Sequence, residues 1–260
     1  MNKNIERAFD HGKAFVAFVT CGDPDLDTTK KIILALERAG CDLIELGIPF
    51  SDPTAEGPVI QEANERALSN GCTTDDVFEM IKEVRKETSI PMVFMTYANV
   101  VFHYGTDKFC QKMVDTDMSG MILPDVPYEE KDEFETVCHQ YGLDFIRMIA
   151  PTSHDRIKMI ANDAQGFLYC VSSLGVTGTR SKITTNVNEM VDIVRSVSDI
   201  PCGIGFGIST PEQAKKMTEK ADAAIVGSAI IKIIAKYGKE AAGPVGEYVK
   251  EMADAVHAKA

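Results

Sequence analysis

Asp42-Leu-Ile-Glu-Leu-Gly-Ile-Pro-Phe-Ser-Asp-Pro-Thr-Ala-Glu-Gly-Pro-Val-Ile-Gln61 is the stretch on which the reading of this chain turns. Its first six residues have the pattern of a short buried strand, and the rest is a Pro/Gly-rich loop past Asp52 and Glu56. Side chains alternate across a strand, so Glu45 points with Leu43, opposite Ile44 and Leu46. A carboxylate in so apolar a strand is costly unless it is paired or has a task. Two readings stand at this point. Glu45 is a structural acid held by a Lys or Arg from a neighbouring strand, or it is a catalytic acid/base at a strand end, with Glu56 as a second carboxylate on the loop above it.

Apolar runs of the same kind recur outward from this stretch. Strands are expected over 14–20, 42–47, 91–96, 120–124, 144–150, 166–172, 201–206 and 223–226. Amphipathic segments separate them, among them 28–39, 74–88, 129–141 and 187–197. Thr210-Pro-Glu-Gln213 carries a capping-box pattern with Pro at the first helical position. Eight alternating units imply parallel strands joined by right-handed crossovers. Strands apolar at nearly every residue imply burial on both faces. In 260 residues this predicts a closed (β/α)8 TIM barrel. It has an extra N-terminal helix at 4–10 and an extended loop-helix insertion after strand 2. No composition shift breaks the chain, so one domain over 1–260 is expected.

Composition narrows the function. Hydrophobic residues make up 45% and charged residues 25% of the chain, values of an ordinary globular protein. The net charge of -12, without a basic run, argues against nucleic acid and anionic membranes as partners. Seven scattered cysteines without a CxxC fit neither a zinc site nor a disulfide framework. The N-terminus has no signal-like apolar region, and a cytoplasmic setting is expected. The histidines show no metal-ligand spacing. Asp52 and Asp125 read as capping or loop-fixing groups, and Arg180 and Lys182 as solvated loop.

In a (β/α) barrel the active site lies at the C-terminal ends of the strands. Glycines fall at three such ends: Gly175 and Gly178, Gly205 and Gly207, and Gly227 before Ser228. Glycine lets backbone amides approach a phosphate, and Gly227-Ser228 opens a helix whose free amides favour an anion. Each glycine alone also fits a tight turn.

The stretch from Glu45 to Gln61 resembles the signature of the tryptophan synthase α subunit family. So do Phe18-Val-Thr-Cys-Gly-Asp-Pro24, Leu123-Pro-Asp-Val-Pro127, Ser173-Leu-Gly-Val-Thr-Gly-Thr-Arg180 and Gly205-Phe-Gly-Ile-Ser209. The resemblance runs in order through nearly the whole chain. It implies cleavage of indole-3-glycerol phosphate to indole and glyceraldehyde 3-phosphate, with no cofactor and no metal. It implies Glu45 as the acid/base at indole C3 and the glycerol hydroxyl, and Glu56 as the partner of the indole N–H. Phe18, Val100, Ile122 and Phe206 would line the indole pocket. Gly178, Gly207, Gly227 and Ser228 would hold the phosphate. Thr177 and Tyr169 would support the carboxylates and the closing of the loop after strand 6. The implied partner is a pyridoxal-phosphate β subunit in an α-β-β-α complex. The family pattern usually has Asp where this chain has Glu56. The expectation is that the loop backbone shifts to absorb the extra methylene. The rival readings are an α-like regulatory subunit that mainly activates its partner, and a barrel lyase or isomerase for another sugar phosphate.

Overall fold

The computed structural model describes residues 2–171, 186–205 and 207–258. Its strands are β1 (Ala14–Thr20), β2 (Leu43–Gly47), β3 (Met92–Met95), β4 (Gly120–Ile122), β5 (Asp144–Phe145), β6 (Arg147–Ile149), β7 (Leu168–Val171), β8 (Cys202–Gly205) and β9 (Ala223–Val226). They form one sheet in the order β5-β4-β3-β2-β1-β9-β8-β7-β6, with every pairing parallel.

The two edges of that sheet, β5 and β6, are consecutive in the chain and separated only by Ile146. The Ile146 amide still bonds the Met121 carbonyl at 2.8 Å. The fifth strand expected from sequence is thus one wall stave in two parts, pairing with β4 below Ile146 and with β7 above it. Chain continuity closes the barrel there, as an eight-stave TIM barrel.

Twelve α-helices are described. Around the wall run α2 (Leu26–Arg38), α3 (Pro58–Ser69), α4 (Thr74–Val84), α5 (Ala98–Tyr104), α6 (Thr106–Asp115), α7 (Asp132–Gln140), α8 (His154–Asn162), α9 (Asn186–Arg195), α10 (Pro211–Met217), α11 (Ser228–Tyr237) and α12 (Ala242–His257). The insertion after β2 is the loop 48–57 followed by α3. In α2 the buried Ile32, Ile33 and Leu36 lie at helical spacing, and Asp25 caps the first turn by accepting from the Thr28 amide at 2.8 Å. The Thr210–Gln213 capping box forms as the sequence predicts. Helix α5 is not among the segments expected from sequence. Its first amide, Ala98 N–H, donates to Asp125 at 3.1 Å from the end of β4. The cap is supplied from the loop after the neighbouring strand, so no local pattern announces it.

Two apolar layers result. Ile44 and Leu46 of β2 face the helices, while Leu43, Val93, Ile122, Ile146, Phe167, Tyr169 and Ile225 fill the barrel. The lower end is stoppered by α1 (Lys3–Phe9), which puts Ile5 into the interior cluster and Phe9 5.8 Å from the Phe167 ring. Burying an isoleucine of this kind contributes about 1.5–3 kcal/mol. The Asn2 amide ties α1 to Asp144 Oδ2 at 2.7 Å. With the bottom sealed, only the C-terminal end of the barrel is open for a site. Among the described residues no helix is long and apolar enough to cross a membrane.

Candidate active site

Glu45 sits in the middle of β2, in register with Phe18 on β1 and Val93 on β3. Its side chain shares the inward face with Leu43, as alternation requires. It is 0% exposed, and neither carboxyl oxygen has a hydrogen-bond partner among the described residues. No Lys or Arg of the described set pairs with it, so the structural-acid reading lacks its cation. Burial alone pushes the Glu45 carboxyl up to about 8. It is therefore a neutral acid at pH 7, the cheapest state for an unpaired buried carboxyl.

Glu56 is held quite differently. It lies on the loop before α3, 8% exposed. The Asn64 side-chain amide donates to Glu56 Oε2 at 2.7 Å, and Gln61 Nε2 donates to the Glu56 carbonyl at 2.7 Å. Gln61 and Asn64 are three apart on α3 and so share a face. Burial raises the Glu56 pKa, while hydrogen bonds from Asn64 and Tyr97 oppose the rise by stabilising the charged form. The Tyr97 hydroxyl also accepts from the Ala55 amide at 3.2 Å, and its ring lies 5.2 Å from that of Phe50. Loop 48–57 is thus fastened to Tyr97, between β3 and α5, and to α3.

A cavity opens at this end of the barrel. Phe18, Ile60, Met95, Met148 and Ile225 give it apolar walls, and Glu56, Tyr169, Gly207, Gly227 and Ser228 also line it. Six of the residues named from sequence therefore meet in one space. Glu45 lies beneath it, beside Phe18 in the sheet; burial raises the Tyr169 pKa, and the nearby Glu45 charge adds to the rise. Val100 and Ile122 are not among the residues lining the cavity. Val100 is carried away on α5, half-buried against the outer layer, and Met95 at the end of β3 faces the space instead. Ile122 is buried in the barrel interior. Thr177, Gly178 and Phe206 lie outside the described residues, as do Arg180 and Lys182.

The glycines have more than one reason. At Gly207 φ is +80°, a conformation that favours glycine. At Gly205 a Cβ would stand 2.4 Å from the Tyr169 ring, so this glycine makes room for Tyr169. Gly227 precedes the ten-residue α11 and gives it no side-chain cap, which leaves first-turn amides at the cavity. Asp23, after β1, is fastened by the Arg66 fork with two bonds of 2.8 Å, tying α3 to the β1 end. Asn64 and Met95 escaped the sequence reading. The spacing of Gln61 and Asn64 behind Glu56 was the available signal for the first.

The arrangement offers a neutral acid, a hydrogen-bonded carboxylate, an apolar slot and a helix N-terminus around one opening. A sequence profile described as tryptophan synthase alpha chain matches residues 6–257. The chain is similar to the tryptophan synthase alpha chain of Lacticaseibacillus casei, 44% identical over 251 residues, 96% of this chain and 94% of the relative. Among solved structures, Mycobacterium tuberculosis tryptophan synthase superposes with a TM-score of 0.89 at 32% identity, covering 98% of both chains. The tryptophan synthase α2β2 complex of Pyrococcus furiosus gives 0.86 at 34% identity, covering 93% of this chain and 98% of that one. The chain belongs to the tryptophan synthase alpha chain family.

Proposed function

We propose that this lyase chain cleaves indole-3-glycerol phosphate to indole and glyceraldehyde 3-phosphate with two carboxyl groups of different character. The observation that carries the reading is the contrast between Glu45, buried without a partner, and Glu56, held by Asn64 and Tyr97. Breaking the bond between indole C3 and the glycerol carbon requires C3 to become tetrahedral first. Glu45, neutral below about pH 8, turns upward past Phe18 and gives its proton to C3. Positive charge then develops at the ring nitrogen, where the Glu56 carboxylate accepts the N–H hydrogen bond. As the C–C bond breaks, the glycerol hydroxyl proton passes to the Glu45 carboxylate, which is thereby restored. Two carboxyls whose environments separate their proton affinities perform both tasks at neutral pH.

The indole ring lies in the slot of Phe18, Met95, Met148 and Ile225, and the phosphate meets the amides of Gly207, Gly227 and Ser228 at the head of α11. Neutral amides suit an anion in a protein of net charge -12. Tyr169 fixes the side of the slot next to Glu45, and no cofactor or metal takes part. The partner is a pyridoxal-phosphate β subunit in an α-β-β-α complex, by relation to the Pyrococcus furiosus assembly. Loop 48–57 beside the site would couple the two.

Indole release from indole-3-glycerol phosphate, with and without the β subunit encoded by the same genome, tests the proposal. Release by the chain alone that rises with the partner is expected. Absence of release in both conditions overturns it.

A further inference from the structure

Gly47 ends β2, two residues above Glu45 on the same inward face. Its backbone is ordinary strand and needs no glycine, and glycine within a strand weakens it. The reason lies in its neighbour. A Cβ placed on Gly47 would stand 2.7 Å from Cζ and 2.9 Å from Cε2 of Phe18. The Phe18 ring therefore leans from β1 over β2, and its tip occupies the space where a side chain at 47 would be. Its stem is confined on the other flank, because a Cβ on Gly227 would stand 3.3 Å from Cβ and Cδ1 of Phe18. The free direction for the ring is into the cavity that it lines.

We infer that Gly47 is a specificity-determining residue of the reaction proposed above. By seating the Phe18 ring against β2 it keeps the slot wide enough for a bicyclic aromatic ring. The inference rests on that proposed reaction for its substrate, and on the Gly47–Phe18 contact for its geometry. A methyl at 47 obliges the ring tip to retreat by roughly 0.7 Å, from 2.7 Å to ordinary contact at 3.4 Å. A flat slot loses that width directly, whereas the phosphate end at α11 does not.

The test is a double-mutant cycle of Gly47→Ala with Phe18→Leu, read by steady-state kinetics on indole-3-glycerol phosphate and by thermal melting. Gly47→Ala alone is expected to lower kcat/KM by about tenfold or more. Inhibition by glycerol 3-phosphate, which lacks the ring, is expected to stay within about twofold of wild type. In the Phe18→Leu background the same Gly47→Ala change is expected to cost less than about twofold, because the clashing ring is gone. Equal costs in the two backgrounds, or an unchanged kcat/KM for the single variant, overturn the inference. If Gly47→Ala fails to fold, folding of the double variant supports the seat, and its failure overturns it. A wild-type chain inactive on the substrate refutes the proposed reaction instead. The melting cycle then still decides whether Phe18 is what a side chain at 47 meets.

Discussion

The Asn64 amide and the Glu56 carboxylate are joined at 2.7 Å, and the same helix, α3, fixes the Glu56 main chain through Gln61 at 2.7 Å. This changes how the extra methylene of Glu56 is accommodated. The sequence leads one to expect a loop backbone that shifts. The backbone is instead held by Gln61, and Pro58 opens α3 immediately afterwards. The longer side chain is taken up at its tip, by Asn64 and Tyr97.

Those two donors favour the charged form of Glu56, so removing one moves its titration. In Asn64→Leu the acid limb of the kcat/KM profile is expected to move to higher pH, because one hydrogen bond that favours the charged form is lost. A merely structural role for Asn64 would lower stability and leave the limb in place. A pH profile of the folded variant tells the two apart.

Glu45 gives the opposite limb. With its pKa pushed up to about 8 by burial, activity is expected to fall as pH rises through that value, because the acid form that the proposed mechanism requires at C3 is lost. Glu45→Gln is expected to lose about 10²–10⁴-fold in kcat. Stability changes with the reverse benefit. The folded pKa lies above the unfolded value, so the favourable contribution of neutral Glu45 is complete below about pH 4.5 and is lost as pH rises through about 8. Glu45→Gln carries no such loss. It is expected to be the more stable protein at pH 8, by on the order of a few kcal/mol, with the gap closing towards pH 5. Denaturant melts of both proteins at the two pH values measure this.

How much of this was legible in the sequence follows from how local each cause is. Strands buried on both faces announce themselves as apolar runs, and alternation alone aims Glu45 inward with Leu43. The break at Ile146 is invisible, because 144–150 reads as one continuous strand and the change of pairing partner depends on barrel closure. Helix α5 is invisible because its cap, Asp125, comes from another strand end. Val100, which the resemblance places at the indole pocket, lies on that helix and not among the residues lining the cavity, where Met95 stands. Gly47 passed unnoticed because its reason is the Phe18 ring on the neighbouring strand.

At the closed end of the barrel, His257 of α12 meets Asp42 Oδ2 at 2.8 Å, and the same oxygen accepts the Phe15 amide at 2.7 Å. The bond to Asp42 raises the His257 pKa. A raised histidine contributes stability fully below its unfolded value of 6.5 and loses it as pH rises through the folded value. The pair is partly exposed, so solvent screening limits it to about 1 kcal/mol or less. His257→Ala is expected to lower Tm slightly at pH 5.5 and not at pH 9. An equal loss at both pH values would assign the effect to packing.

The last prediction concerns Glu56 itself. Glu56→Gln keeps the length and the Asn64 and Tyr97 neighbours but removes the negative charge that the proposed mechanism sets against the indole N–H. A loss within the general acid–base range of about 10²–10⁴-fold in kcat is expected. Glu56→Asp keeps the charge and gives up reach. Because Gln61 holds the main chain at residue 56, the shortened carboxylate withdraws from Asn64 while the loop stays in place. Glu56→Asp is therefore expected to retain substantial activity, lower than wild type and well above Glu56→Gln. A gain over wild type would mean that the loop follows despite Gln61, and adding Gln61→Ala to Glu56→Asp tests that directly. If catalysis rested on Glu45 alone, with Glu56 only fixing the loop, the amide would serve nearly as well as the carboxylate. Steady-state rates of the variants, each checked for native folding, decide the matter: a Glu56→Gln protein that keeps most of the wild-type kcat removes Glu56 from the mechanism.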